Sequence, residues 1–255
     1  MTENDLNIHD DGHVRVIEFD RPPNNFFDVS LLRSLAEAFE EADRDPNCRA
    51  ILLCSSGRVF CAGADFSQNN DPSGQAGPKA VYAEAARMFG VAIPVIAVIQ
   101  GPAIGGGFGL AMMADFRIAA PEARFAANFV HLGIHPGFGL THTLPRALGQ
   151  QAAALLLYTG RRIDGKEAER LGVVDQLVPA DEVRAAGLRL AAEIAAGAPL
   201  ALEATRATLR GNLAQDVAGQ MAHEAAEQLK LFATADHREG IQAVSERRPG
   251  QFQRR

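Results

Sequence analysis

The chain has 255 residues, of which 47% are apolar and 22% charged, and a net charge of −6 at neutral pH. That balance belongs to a globular protein large enough to bury a core without staples, and an acidic chain lacks the basic face of a general nucleic-acid binder. No apolar run reaches the ~18 residues of a membrane helix, because the longest, 91–113, is interrupted by Pro94, Gly101, Pro102 and a glycine triplet.

In chain order, residues 1–11 are polar and acidic, unlike a secretory leader, so a cytoplasmic protein is expected. Residues 13–20 alternate apolar and polar positions as a half-buried strand does, and Arg21-Pro22-Pro23 ends it. Asp28 is placed to cap a helix to about residue 43, with Leu31, Leu32, Leu35 and Phe39 on one face. Residues 50–54 are short and apolar, as a buried strand is. Cys48, Cys54 and Cys61 lack zinc spacing and read as free thiols. Residues 69–77 read as a mobile surface loop. A helix over 79–89, a strand over 95–100, a glycine turn over 101–107, a helix to 113 and strands at 115–119 and 124–126 follow. From residue 150 the pattern is helical, over 151–158, 165–171, 180–196, 200–212, 216–232 and 236–247, interrupted by 173–178. Strand–helix units followed by helices imply an α/β core, here 1–197, with a helical region over 198–255.

Two glycine turns carry the chemistry, Phe60-Cys61-Ala62-Gly63-Ala64-Asp65-Phe66 and Ala103-Ile104-Gly105-Gly106-Gly107, each leading from a strand toward a helix. Glycine there turns backbone NH groups outward and admits a ligand closely, and a helix N-terminus adds a positive dipole end. A triplet alone equally serves tight packing. A dinucleotide-binding module would rest on these glycines only, and the G-x-G-x-x-G spacing is not matched.

With Asp20-Arg21-Pro22, Pro94-Val95-Ile96-Ala97, Ala111-Met112, Ala114-Asp115, Gly133, Pro136-Gly137, Leu144-Pro145-Arg146 and Arg238-Glu239-Gly240 in the same order, the chain resembles the enoyl-CoA hydratase/isomerase (crotonase) superfamily. The resemblance implies a ββα spiral followed by a helical trimerisation region, in a homotrimer or homohexamer. It implies an acyl-CoA substrate, with coenzyme A entering as part of that substrate and no permanently bound cofactor or metal. It places the thioester oxygen between the NH groups of Ala64 and Gly106, where preorganised donors stabilise an enolate or oxyanion by ~3 kcal/mol each. Ala62, Asp65, Phe66, Gly105, Gly109 and Phe129 would line the substrate site, and Arg247 would reach the nucleotide phosphates or end in a solvated tail.

The pattern also breaks. The two glutamates that hydratases of this family use fall on Gly109 and on the pair Asn128-Phe129, so neither carboxylate is present. His131, His135 and His142 lie nearby, and histidine titrates near neutrality. Each is either a structural histidine or the proton-transfer group, His131 and His135 being the preferred candidates. Phe129 in place of a carboxylate predicts a drier acyl pocket. Hydration, isomerisation, decarboxylation or hydrolysis of an acyl-CoA all remain open, as does a catalytically silent CoA-ester binder.

Overall fold

The computed structural model describes residues 5–64 and 77–255. The loop expected over 69–77 therefore lies almost wholly outside the described residues. Strands β1 (Leu6–Asp11), β2 (Val14–Phe19), β3 (Ala50–Ser55), β4 (Val95–Ile99), β6 (Phe116–Ala119) and β9 (Gln176–Leu177) form one sheet, in the order β1-β2-β3-β4-β6-β9. Only the β1–β2 pair is antiparallel; the rest of the ladder is parallel. A second sheet joins β5 (Ala103–Ile104), β7 (Arg124–Ala126) and β8 (Arg162–Asp164). Together with ten helices among the described residues, this is an α/β fold whose C-terminal part is helical.

The sequence accounts for the centre of the sheet directly. Every residue of β3 and β4 is buried, as a parallel strand covered on both faces must be. Ile51, Leu53, Val95, Ala97 and Ile99 face the main core, beneath helices α1 (Val29–Arg44) and α2 (Pro78–Met88). Leu52, Cys54, Ile96 and Val98 face helix α7 (Val183–Ala195) on the other side. Asp28 caps α1 as expected, accepting from the Leu31 NH at 2.8 Å. Asp115 ties β4 to a later helix through three hydrogen bonds. It accepts from the Val95 NH, from Arg206 Nε and from an Arg210 guanidinium nitrogen, each at 2.9 Å.

Strand β1 was not expected. Only Leu6 of its six residues is buried, so it carries no alternation to read. It forms because Asp11-Gly12, with Gly12 at φ 61°, turns the chain back onto β2.

Helix α4 (Leu140–Leu148) was also missed, because nothing local caps it. The cap comes from 85 residues beyond Gly139, on helix α9 (Leu213–Leu231). The carboxylate of Glu224 accepts from the Gly139 NH (2.7 Å), the Thr141 NH (3.1 Å) and the Thr141 hydroxyl (2.5 Å). Glu224 is fully buried, and burial pushes its carboxyl up to about 7, against the pull of those three donors. The unfolded chain gives up this proton near pH 4.5, whereas the folded chain holds it to about pH 7. The resulting stability is therefore full below pH 4.5 and lost as pH rises through 7, by up to roughly 3 kcal/mol. Urea denaturation at pH 5 and pH 8 should show this loss in the parent chain and a smaller one in Glu224→Gln. An equal loss in both would assign the pH dependence to other groups.

Residues 198–255 do not stand apart from the core. After helices α3 (Gly106–Met113), α5 (Gln150–Thr159), α6 (Gly165–Leu171) and α8 (Pro199–Arg210), α9 packs on α2 and α4. Helix α10 (Ala235–Ser245) packs on a 3₁₀ turn at Asn128–Leu132. Among the described residues no single helix is long and apolar enough to cross a membrane.

Candidate active site

The two glycine turns meet edge to edge. The first is held on both sides: Phe27 NH donates to Gly63 O (2.9 Å) and Ala62 NH to Asn24 O (3.0 Å), while Cys61 NH donates to Pro102 O (3.0 Å). Ile104 NH returns a bond to Cys61 O at 2.9 Å. Gly63 has φ 91°, and a Cβ there would come within 2.9 Å of Ile104 O and 3.3 Å of Gly106 N. Any side chain would therefore force the turns apart. Gly105, at φ 57°, ends the second turn and starts α3, its own NH donating to Ala126 O at 2.8 Å. Gly107 packs so closely that a Cβ would fall 2.1 Å from Cys61 O.

This contact brings Ala64 and Gly106 together in the wall of one cavity of about 500 Å³. The Gly106 NH is the first of α3, so it has no acceptor within the helix and sits at the positive dipole end. Among the described residues neither NH donates to another backbone group.

The cavity is mainly apolar. Phe27, Phe129, Leu132, Ile134 and Val81 form much of it, and Leu229, Phe232 and Val244 of α9 and α10 cover it from the C-terminal region. Four side chains bring polarity: Tyr82, Gln228, Asn128 and His237. Tyr82 and Gln228 are committed to each other. The Tyr82 hydroxyl donates to Gln228 Oε1 at 3.0 Å, and Gln228 Nε2 donates to His135 O at 2.8 Å. Burial raises the Tyr82 phenol well above its ordinary value, keeping it neutral. Gly137 makes room for this ring, since a Cβ there would overlap the hydroxyl oxygen.

Ala62, Gly105 and Phe129 line the cavity as the sequence implied, and Asp65 and Phe66 lie outside the described residues. Several expectations are corrected. Gly109 does not reach the cavity; it lies behind Phe138, whose Cβ would be 2.5 Å from a Cβ at 109. Phe138 is fully buried at φ 60°, and its ring sits against Phe27 (centroids 5.4 Å) and Tyr82 (6.4 Å). Arg247 is exposed and is not part of the wall.

Neither preferred histidine faces the cavity. The 3₁₀ turn directs Asn128, Phe129 and Leu132 inward and leaves His131 exposed over Gly160, its Cδ2 2.7 Å from where a Cβ would stand. His135 turns back so that its Nδ1 lies 2.7 Å from Pro136 O, and its ring meets that of His223. His142 lies on α4, also off the wall.

The histidine at the cavity is His237, in the first turn of α10. Its Nδ1 is 2.8 Å from Leu132 O, and its ring rests on Phe232 (centroids 5.0 Å). A carbonyl only accepts, so Nδ1 carries the proton and Nε2 keeps the lone pair in the neutral ring. Sequence reasoning missed His237 because 105 residues separate it from Leu132. Its one signal was position, beside the Arg238-Glu239-Gly240 stretch. No Asp or Glu is among the described residues lining the cavity.

The enoyl-CoA hydratase/isomerase family model matches residues 10–255. The chain belongs to the enoyl-CoA hydratase/isomerase family. It is 35% identical, over the full length of both chains, to the Mycobacterium tuberculosis protein named "Probable enoyl-CoA hydratase echA8". It is 34% identical over all of both chains to a "Probable enoyl-CoA hydratase" of Rhizobium meliloti. Among solved structures it matches an enoyl-CoA hydratase/isomerase from Pseudoalteromonas atlantica T6c with a TM-score of 0.90, at 29% identity, covering 98% of this chain and 100% of that one. A carnitinyl-CoA hydratase from Mycobacterium avium matches with a TM-score of 0.85, at 27% identity and 100% of both chains. Family membership removes the case for a dinucleotide module.

Proposed function

We propose that the cavity binds an acyl-CoA thioester with its carbonyl oxygen between the NH groups of Ala64 and Gly106, and that the reaction runs through an enolate or oxyanion held there. The observation that supports this reading is the edge-to-edge contact of the two turns, with both residues in the lining of one mainly apolar cavity. Donors fixed in a dry site stabilise developing charge without reorganising, which is why such pairs dominate acyl-group chemistry. Coenzyme A enters as part of the substrate, and no resident cofactor is required. Within hydratase/isomerase chemistry, proton transfer here does not use a carboxylate at either position where relatives resembling hydratases carry one. A homotrimer or homohexamer belongs to the same reading, and light scattering after size exclusion measures it.

The filling of the space beside Gly109 by Phe138 favours a second reading, a CoA-ester binder without turnover. A panel of saturated, 2-enoyl, 3-enoyl and 3-oxoacyl-CoA thioesters separates the two. Binding by calorimetry with product formation on at least one thioester is the expected result. Binding with no product on any of them selects the silent binder, and absence of binding across the panel sinks both.

A further inference from the structure

We infer that Asn128 is a specificity-determining residue, and that the site is built for thioesters whose acyl group carries a second carbonyl oxygen, two carbons from the first. This rests on the thioester-binding reading above. Asn128 begins the 3₁₀ turn, is half-buried and lines the cavity. Its Oδ1 lies 3.5 Å from where a Gly105 Cβ would stand, and because no described residue holds the amide, a half-turn about its last torsion presents the donating Nδ2 there instead. Gly105 is the residue before the Gly106 donor, so the amide borders the carbons next to an oxygen held at that NH.

The other polar side chains of the wall each already make at least one hydrogen bond. Tyr82 and Gln228 bond each other, Gln228 also holds the His135 carbonyl, and His237 is tied to Leu132 O. The Asn128 side chain makes no hydrogen bond to any described residue. A primary amide donates two N–H bonds and accepts through oxygen. Beside Phe129, in a mostly apolar wall, that hydrogen-bonding capacity is satisfied by a ligand oxygen, and a ligand lacking one leaves it unmet.

Chemistry selects the class of oxygen. A carbon flanked by two carbonyls gives up its proton, to water or to the Nε2 lone pair of His237, far more readily than one beside a single thioester. Such a substrate suits a site whose described wall has no carboxylate base. The Ala64 and Gly106 NH groups take one oxygen of the delocalised enolate, and the Asn128 amide takes the other.

The test compares acetoacetyl-CoA with butyryl-CoA, which share a chain length and differ by the second carbonyl. Calorimetry on the intact chain should show acetoacetyl-CoA binding about tenfold tighter. In Asn128→Leu, nearly equal in size, the ratio of the two affinities should fall to about one. A general packing role for Asn128 would weaken both ligands together. Malonyl-CoA alongside separates a carboxylate from a ketone, and an Asn128-dependent preference for either supports the inference. Equal binding of all three by the parent chain, or a preference that survives in Asn128→Leu, overturns it. Failure of butyryl-CoA itself to bind is a different result, and brings down the thioester site rather than the role of Asn128.

Discussion

An Ala64→Pro variant is expected to lose turnover on the acyl-CoA thioesters it binds by about 10²–10³-fold while keeping its thermal midpoint. Proline removes the NH and puts its Cδ where that hydrogen pointed, so some loss of affinity accompanies the loss of rate. The bond that holds the turn, Phe27 NH to Gly63 O at 2.9 Å, involves neighbouring groups and survives. The Ala64 NH donates to no described backbone carbonyl, so its loss leaves no carbonyl unpaired. The effect is predicted on the rate constant more than on substrate affinity, because the donor matters most when charge has developed on the oxygen. Ala64→Gly, which keeps the NH, is the control. Single-turnover rates for the three proteins decide it: equal rates in all three would remove Ala64 from the chemistry. The same change at Gly106 is less clean, because a Cβ there would press within 2.4 Å of the Phe27 ring.

Restoring the hydratase carboxylate by Gly109→Glu should fail, and should unfold the protein more readily by about 3 kcal/mol or more. A Cβ at 109 meets Phe138 Cβ at 2.5 Å and two ring carbons at 2.8 Å. The residue is inside a helix whose eight positions are all buried, so the chain has no solvent side to which it could turn the new acid. Overpacking and an unpaired buried charge then add. Pairing the change with Phe138→Gly removes the obstructing ring and suits the left-handed backbone at φ 60°. The double variant should therefore be more stable than the sum of the two single effects, a coupling that denaturant titration reads directly. Additive losses would show that Phe138 is not what closes the position.

That pairing explains why the loss of both glutamates was legible in the sequence while its consequence was not. Gly109 and Phe129 stand where the resemblance puts the acids, and that reading rests on motif spacing without coordinates. What fills the vacated space is Phe138, 29 positions further on, and only packing brings it over Gly109. The same division runs through the rest of the site. The Gly63 and Gly105–Gly107 turns were readable because a tight strand-to-helix turn demands glycine locally. Their contact, which sets Ala64 and Gly106 on one wall, required β3, β4 and the 24–27 segment to be in place.

The histidines mark the limit of reading along the chain. His131 and His135 were close in sequence to the expected wall, but a five-residue 3₁₀ turn presents its positions to different surroundings, and His131 lies outside. His237 reached the cavity because α10 folds back onto that turn and gives its Nδ1 proton to Leu132 O. Helix α4 failed to show itself for a similar reason, its cap being Glu224 of α9 rather than a neighbour.

By itself, then, the sequence determined the elements whose causes are local: buried parallel strands from continuous apolar runs, α1 from Asp28 and its apolar stripe, and two glycine turns from their own backbone needs. Motifs in fixed order also determined the family. The tertiary structure decided which NH groups share a wall, which histidine faces it, and that Phe138 occupies the space beside Gly109. Those depend on contacts between residues far apart in the chain, and no local preference encodes such a contact.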